Sequence, residues 1–194
     1  MIQERVEPIM TSAPKSSDLV QRLRGLAHGE DGMAAVEFAV ILPFMLVAYL
    51  GGVEVGEGVA INRKVAITTR AVADLASRYT TIHNADSAVI LGAASTIISP
   101  YPSGPLAVTV SGVKVDSRGN PTIDWSDTLN GTAHTVGAPV TLPGTLNTPN
   151  AYYVLGEVTY TYTPTFGYVM TGHFPLSGQI FMSPRQSASI SRVP

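Results

Sequence analysis

One acidic residue, Glu37, lies near the start of the most apolar stretch of the chain. Residues 38–53 carry no charge, and residues 33–36 and Val55 extend the run. A carboxylate deep in hydrocarbon costs about 2.5–3.5 kcal/mol even on lenient insertion scales, so Glu37 calls for a partner. The simpler alternative is an interfacial acid, which the dipole of a helix N-terminus would favour by about 0.3–1 kcal/mol.

A glycine lies five residues before this acid and supplies a candidate partner. Gly32 and Glu37 stand at the start of the predicted apolar helix and resemble the processing site of type IV prepilins. In those proteins a membrane aspartyl peptidase cuts after the glycine. Cleavage would expose an ammonium on Met33, one helical turn from Glu37. In parallel helices the carboxylate of one subunit could pair with the ammonium of another. Gly32 would let the backbone extend into a protease cleft, and the alternative is an ordinary flexible linker before a helix.

The wider string GMAAVEFAVILPFMLVAYLGGVEVGEGV resembles the N-terminal signature of the TadE-like family. Members of this family are pseudopilins or minor pilins of the tight-adherence, Flp-type pilus system. The matching residues are Gly32, Ala34, Ala35, Val36, Glu37, Phe38, Ala39, Leu42 and Pro43, with a second acid at Glu54. Many prepilins have Lys or Arg beside the glycine, whereas Glu30 and Asp31 stand here, so the resemblance implies a dedicated peptidase.

The resemblance also implies a location and a set of partners. It places a single-pass protein in the bacterial inner membrane, with its C-terminal domain in the periplasm or in the pilus itself. The implied partners are a prepilin peptidase, other pilus subunits, the inner-membrane assembly platform and the lipid bilayer. Glu37 and Phe38 would serve subunit assembly. Charge leaves the orientation open, because basic residues flank both ends of the run: Arg22, Arg24, Arg63, Lys64 and Arg70.

The elements that must position these residues begin with the apolar run. It exceeds the 7–15 residues of a secretory signal and reaches the roughly 20 that span a bilayer. Ala48, Gly52 and Gly56 recur every four residues, a pattern that lets two helices pack closely. The alternative is the ordinary tolerance of spanning helices for glycine.

An amphipathic stripe predicts that the helix continues beyond the membrane to about residue 80. Its members recur at steps of four and three: Ile61, Val65, Thr68, Val72, Leu75 and Tyr79. The opposite face offers i,i+4 pairs from Arg70 to Asp74 and from Asp74 to Arg78. We therefore predict an α+β fold, in which a long N-terminal transmembrane and amphipathic helix packs on a small antiparallel β-rich domain. Residues 1–32 are predicted to be a cytoplasmic leader that is removed. Residues 33–80 form the helix, whose membrane span ends near residue 55, and residues 81–194 form an extracytoplasmic head.

The head should open with a second helix and continue as strands. Asn84 can cap the helix, with Asp86 in its first turn and Pro100 ending it. Residues 106–115 then alternate between apolar and polar, with a slip at Gly112 that predicts a β-bulge.

The rest of the head gives weaker signals. Residues 117–121 have the composition of a turn, and a strand should follow over 122–126. Residues 127–150 read as a long loop with one short strand near Val140. Two further strands are predicted, over 157–163 and around residues 188–190.

Several classes of chemistry lack support. The chain has no cysteine and few basic residues after Tyr79, which argues against thiolate chemistry and nucleic-acid binding. The histidines lie far apart, so we predict no metal site: His28, His83, His134 and His173. Asp124 and Asp127 are close in sequence, but such pairs usually cap turns. With no catalytic motif, we expect neither an enzyme nor a cofactor.

Two hypotheses therefore remain from different classes. In the first, the chain is a pilin-like assembly protein that loses residues 1–32. In the second, it is a permanently anchored extracytoplasmic binding module that keeps its leader, and Glu37 is incidental.

Overall fold

The computed structural model describes residues 30–167 and 171–194. The chain divides into two compact units, one ending at Tyr49 and the other beginning at Leu50. Residues 1–29 of the predicted leader lie outside the described residues. The architecture is α+β, with a long N-terminal helix packed on a small antiparallel sheet, and it confirms the predicted fold class.

Helix α1 runs from Glu30 to Ser77 and includes Pro43 in its interior. It starts three residues earlier than predicted, since Gly32 lies within its first turn. All side chains from residue 33 to residue 49 are exposed, although most are apolar. In the described part of the chain, α1 is the one helix long and apolar enough to cross a membrane. This finding is consistent with single-pass anchoring.

The second half of α1 packs its predicted stripe against the sheet. Ile61, Val65, Thr68 and Val72 are all at most 2% exposed, and Leu75 and Tyr79 pack at the edge of the same core. Asp74 pairs with Arg78 as predicted, but its second partner is Arg185 rather than Arg70. The 3.6-residue period of the stripe is the direct cause of this packing.

Helix α2 covers Asn84–Ile97 and follows the short strand β1, Thr81–Ile82. Its N-cap is His83 rather than the predicted Asn84, and the backbone N–H of His83 donates to Asp86 Oδ2 at 3.0 Å. Asn84 instead accepts a hydrogen bond from Arg192. The helix ends before Pro100, as predicted.

The main sheet has four strands: β2, Leu106–Val115; β3, Pro121–Leu129; β4, Tyr152–Tyr162; and β5, Phe174–Met182. Their order is β3-β2-β4-β5, and every neighbouring pair is antiparallel. Strand β6, Ser191–Arg192, pairs in parallel with β1. Strand β5 was not predicted from the sequence, and β4 starts five residues earlier than predicted. The strand expected at 188–190 is displaced to 191–192.

The predicted bulge is present, but its extra residue lies on the neighbouring strand. The register of β2 with β3 shifts between Gly112 and Val113, which pair with Trp125 and Ile123 and leave Asp124 unpaired. Asp124 and Asp127 thus belong to a strand, which makes the turn-capping interpretation wrong. Asp124 accepts a hydrogen bond from the Tyr152 hydroxyl.

Close approach of the sheet to α1 depends on two glycines in neighbouring strands. A Cβ on Gly156 would lie 2.9 Å from Ala73 Cβ, and one on Gly178 would lie 2.6 Å from Thr69 Oγ1. Real side chains do not reach such distances, so only glycine permits this spacing. The other face of the sheet is covered by the β3–β4 connection, which carries a single bridge from Thr122 to Pro139 where a short strand was predicted.

Candidate functional site

The predicted processing site lies in the first turns of α1. Gly32 is partly buried, whereas Met33 is 69% exposed and Glu37 is also exposed. A helix rises about 1.5 Å per residue, so Met33 and Glu37 lie about 6 Å apart along the axis and near one face. The predicted amino group and the acid are therefore positioned by the same turn of helix.

The helical state of Gly32 bears on how a peptidase could reach it. A protease cleft binds extended backbone, so the first turn of α1 must open before cleavage. Glycine is about 1 kcal/mol less favourable than alanine inside a helix, which makes this turn easier to open. The prediction that Gly32 is cut remains a prediction.

The predicted assembly positions further along the helix are open. Phe38 is 61% exposed and Ala48 is exposed. A Cβ built on Gly52 or on Gly56 would meet no described atom within 4 Å. The small-residue face is thus available to another helix, but its use in helix packing stays a prediction.

A second acid on α1, Glu54, has the opposite environment. It is 1% exposed, and its Oε1 accepts hydrogen bonds from the backbone N–H groups of Phe166, at 3.0 Å, and Gly167, at 2.7 Å. Its Oε2 has no hydrogen-bond partner among the described residues. We call the contact of Glu54 with Phe166 and Gly167 the Glu54 clasp, because it holds the segment after β4 against the helix.

Tyr162 reinforces the same junction from the end of β4. Its hydroxyl donates to the carbonyl oxygen of Glu54 at 3.1 Å, or to Glu57 Oε2 at 3.3 Å. Burial, together with the nearby Glu57 carboxylate, raises the pKa of Tyr162 to about 12. The hydroxyl therefore stays a donor at any physiological pH. Glu54 is the second acid in the resemblance to the TadE-like family, but its residue type and position in the sequence indicate no role for it.

The histidines take part in isolated contacts. His134 Nε2 lies 2.5 Å from Oε2 of Glu157 in β4, and His173 contacts the hydroxyl of Thr163. His28 lies outside the described residues. Within residues 30–167 and 171–194, no three His, Asp or Glu side chains are grouped to hold a metal ion.

Comparison with known proteins gives one match. No curated protein and no solved structure shows significant similarity to the chain. A family model described as TadE-like protein matches residues 32–76, a segment that begins at Gly32 and covers nearly all of α1. The segment with the exposed Glu37 and the buried Glu54 therefore carries the TadE-like signature, as the sequence resemblance predicted.

Proposed function

We propose that this chain is a minor pilin or pseudopilin of a tight-adherence, type IVc pilus, cut by a prepilin peptidase between Gly32 and Met33. Its role is structural and belongs to pilus assembly. The observation that carries the proposal is an exposed acid, Glu37, one turn from Met33 at the start of an apolar helix that matches the TadE-like family.

The carboxylate of Glu37 is the group that needs a partner in the membrane. Glu37 lies in a stretch whose apolar side chains are exposed, so membrane insertion would bring the acid towards lipid. The new ammonium of Met33 on a neighbouring subunit is a partner that only proteolysis creates. Pairing lowers the cost of burying either charge and fixes the stagger between parallel helices. Phe38 and the open face of Ala48, Gly52 and Gly56 would supply the packing.

The proposal implies a topology and partners. The leader faces the cytoplasm, α1 crosses the inner membrane, and the head of residues 81–194 lies in the periplasm or in the pilus. Besides the peptidase, the partners are other pilus subunits and the assembly platform of the inner membrane. Support for these partners comes from the family match alone.

Processing is tested by intact-mass analysis and N-terminal sequencing of the protein from membranes of cells with and without the pilus peptidase. We expect the chain to start at Met33 only where the peptidase is active. An intact leader on functional protein would favour the alternative, a permanently anchored binding module.

Assembly is tested by Glu37→Gln, which keeps the size of the side chain but removes its charge. We expect normal membrane insertion and normal cleavage, with loss of pilus assembly. Val40→Ala, an exposed change one turn later on the same helix, is the matched control. Equal piliation in the two variants would argue against the charge pairing.

A further inference from the structure

The Glu54 clasp fixes the segment after β4 at a particular height on α1. Glu54 is the first residue after the uncharged run of residues 38–53, so it marks the end of the apolar stretch. The backbone N–H groups of Phe166 and Gly167 bond directly to its carboxylate. These two residues therefore lie within one side-chain length of the helix position where a spanning segment would leave the bilayer.

The surface around the clasp is apolar. Phe166 is 46% exposed, and Val55 and Val59 on the adjoining turns of α1 are 51% and 50% exposed. An apolar cavity of about 330 Å³ lies between α1 and β5, with Phe174 and Leu176 in its wall. Exposure of Phe166 and of this half-open apolar cavity to water is unfavourable, and exposed apolar surface of this kind marks interaction sites. Together they form one apolar surface that joins the turns of α1 at Val55 and Val59 to the head.

We propose that this surface, defined by Val55, Val59, Phe166, Phe174 and Leu176, is a membrane-contact collar that enters the headgroup and acyl boundary of the bilayer. The occupant is lipid, because the collar is continuous with the apolar run that ends at Glu54. Aromatic and aliphatic side chains at such a boundary insert about 5–10 Å into the interface. The collar then limits the tilt of the head on its helix. This inference rests on the membrane anchoring in the proposed function.

Fluorescence quenching by lipids brominated near the top of their acyl chains tests the collar. The full chain is placed in nanodiscs, and the emission of buried Trp125, measured in the unsubstituted protein, is subtracted. Phe166→Trp reports on the collar, and Tyr49→Trp, 69% exposed within the apolar run, reports on membrane insertion.

Val136→Trp is the negative control. Val136 is 67% exposed and precedes Gly137, whose N–H bonds to the carbonyl oxygen of Ile123. Ile123 of β3 and Tyr153 of β4 both pair with Val113 of β2, so they lie at the same level of the sheet. Tyr153 is nine residues along β4 from Tyr162, which lies at the clasp. At about 3.3 Å per residue, this places the control about 30 Å from the clasp.

We expect bromolipid to quench Phe166→Trp and Tyr49→Trp and to leave Val136→Trp unchanged. If Tyr49→Trp is quenched while Phe166→Trp matches Val136→Trp, the collar is overturned and the membrane anchor stands. If neither Phe166→Trp nor Tyr49→Trp is quenched, both the collar and the membrane-spanning role of the helix are overturned.

Discussion

Replacing Glu54 by alanine should release the segment after β4 without unfolding the head. Two backbone N–H groups, those of Phe166 and Gly167, would lose their acceptor. Hydrogen bonds to a charged group contribute about 1.5–3 kcal/mol each, or about 3–6 kcal/mol for the pair. Removing the buried, unpartnered Oε2 returns about 1–3 kcal/mol. With the middle value of each range, about 4.5 kcal/mol lost and about 2 kcal/mol returned, we expect a net local loss of about 2–3 kcal/mol.

Hydrogen exchange measures this local loss directly. At about 1.4 kcal/mol per factor of ten, the opening equilibrium at residues 166 and 167 should rise about 30- to 140-fold. Mass spectrometry of peptides covering these residues would detect that change in amide exchange. Exchange in β2 should stay the same, because none of its hydrogen bonds involves Glu54.

The matched control is Glu57→Ala, one turn further along α1. Glu57 offers the Tyr162 hydroxyl only a 3.3 Å contact and accepts no backbone N–H from residues 163–167, the described part of the segment after β4. It should leave exchange at residues 166 and 167 nearly unchanged. If Glu54→Ala and Glu57→Ala exchange alike there, the clasp does not hold the segment and the reasoning is refuted.

Two further predictions concern the head. Gly112→Ala should lower stability by about 1–3 kcal/mol or more, because its Cβ would lie 2.2 Å from the Tyr152 hydroxyl and 2.3 Å from Trp125 Nε1. Urea unfolding would show this loss, and Gly104→Ala, whose new Cβ would meet no described atom within 4 Å, should be neutral. Burial and the Asp124 carboxylate raise the pKa of Tyr152 well above its ordinary value of 10.0. Its contribution to stability is therefore complete below pH 10 and lost as pH rises further, so Tyr152→Phe should flatten the alkaline fall in stability. An unchanged fall would show that other groups cause it.

The regular parts of the fold could be predicted because packing leaves a period in the sequence. The stripe from Ile61 to Val72 has one buried face, and the slip at Gly112 marks a real change of register. The start of β4 was missed for the opposite reason. Residues 152–156 are buried on both faces, so they read as a continuous apolar run with no alternation.

Strand β5 was missed because its sequence contains two residues that usually interrupt strands. Pro175 is tolerated because β5 is an edge strand whose outer side needs no ladder hydrogen bond. Gly178 is required by the approach of Thr69 on α1, a contact between residues far apart in sequence. Neither reason is visible before the sheet order is known.

The candidate site was predictable only in part, and the two acids of α1 show why. Glu37 stands out in the sequence because an acid in an apolar run has no local partner, and its exposed side chain keeps that requirement in the folded chain. Glu54 carries the same sequence signal, yet the fold satisfies it with backbone N–H groups at residues 166 and 167. Every residue except proline carries a backbone N–H, so residue type does not reveal which of them will bind an acid. The sequence therefore does not distinguish an acid that binds its own chain from one that needs another subunit. We therefore expect the buried acid to hold the head, and we propose the exposed one as the acid that guides assembly.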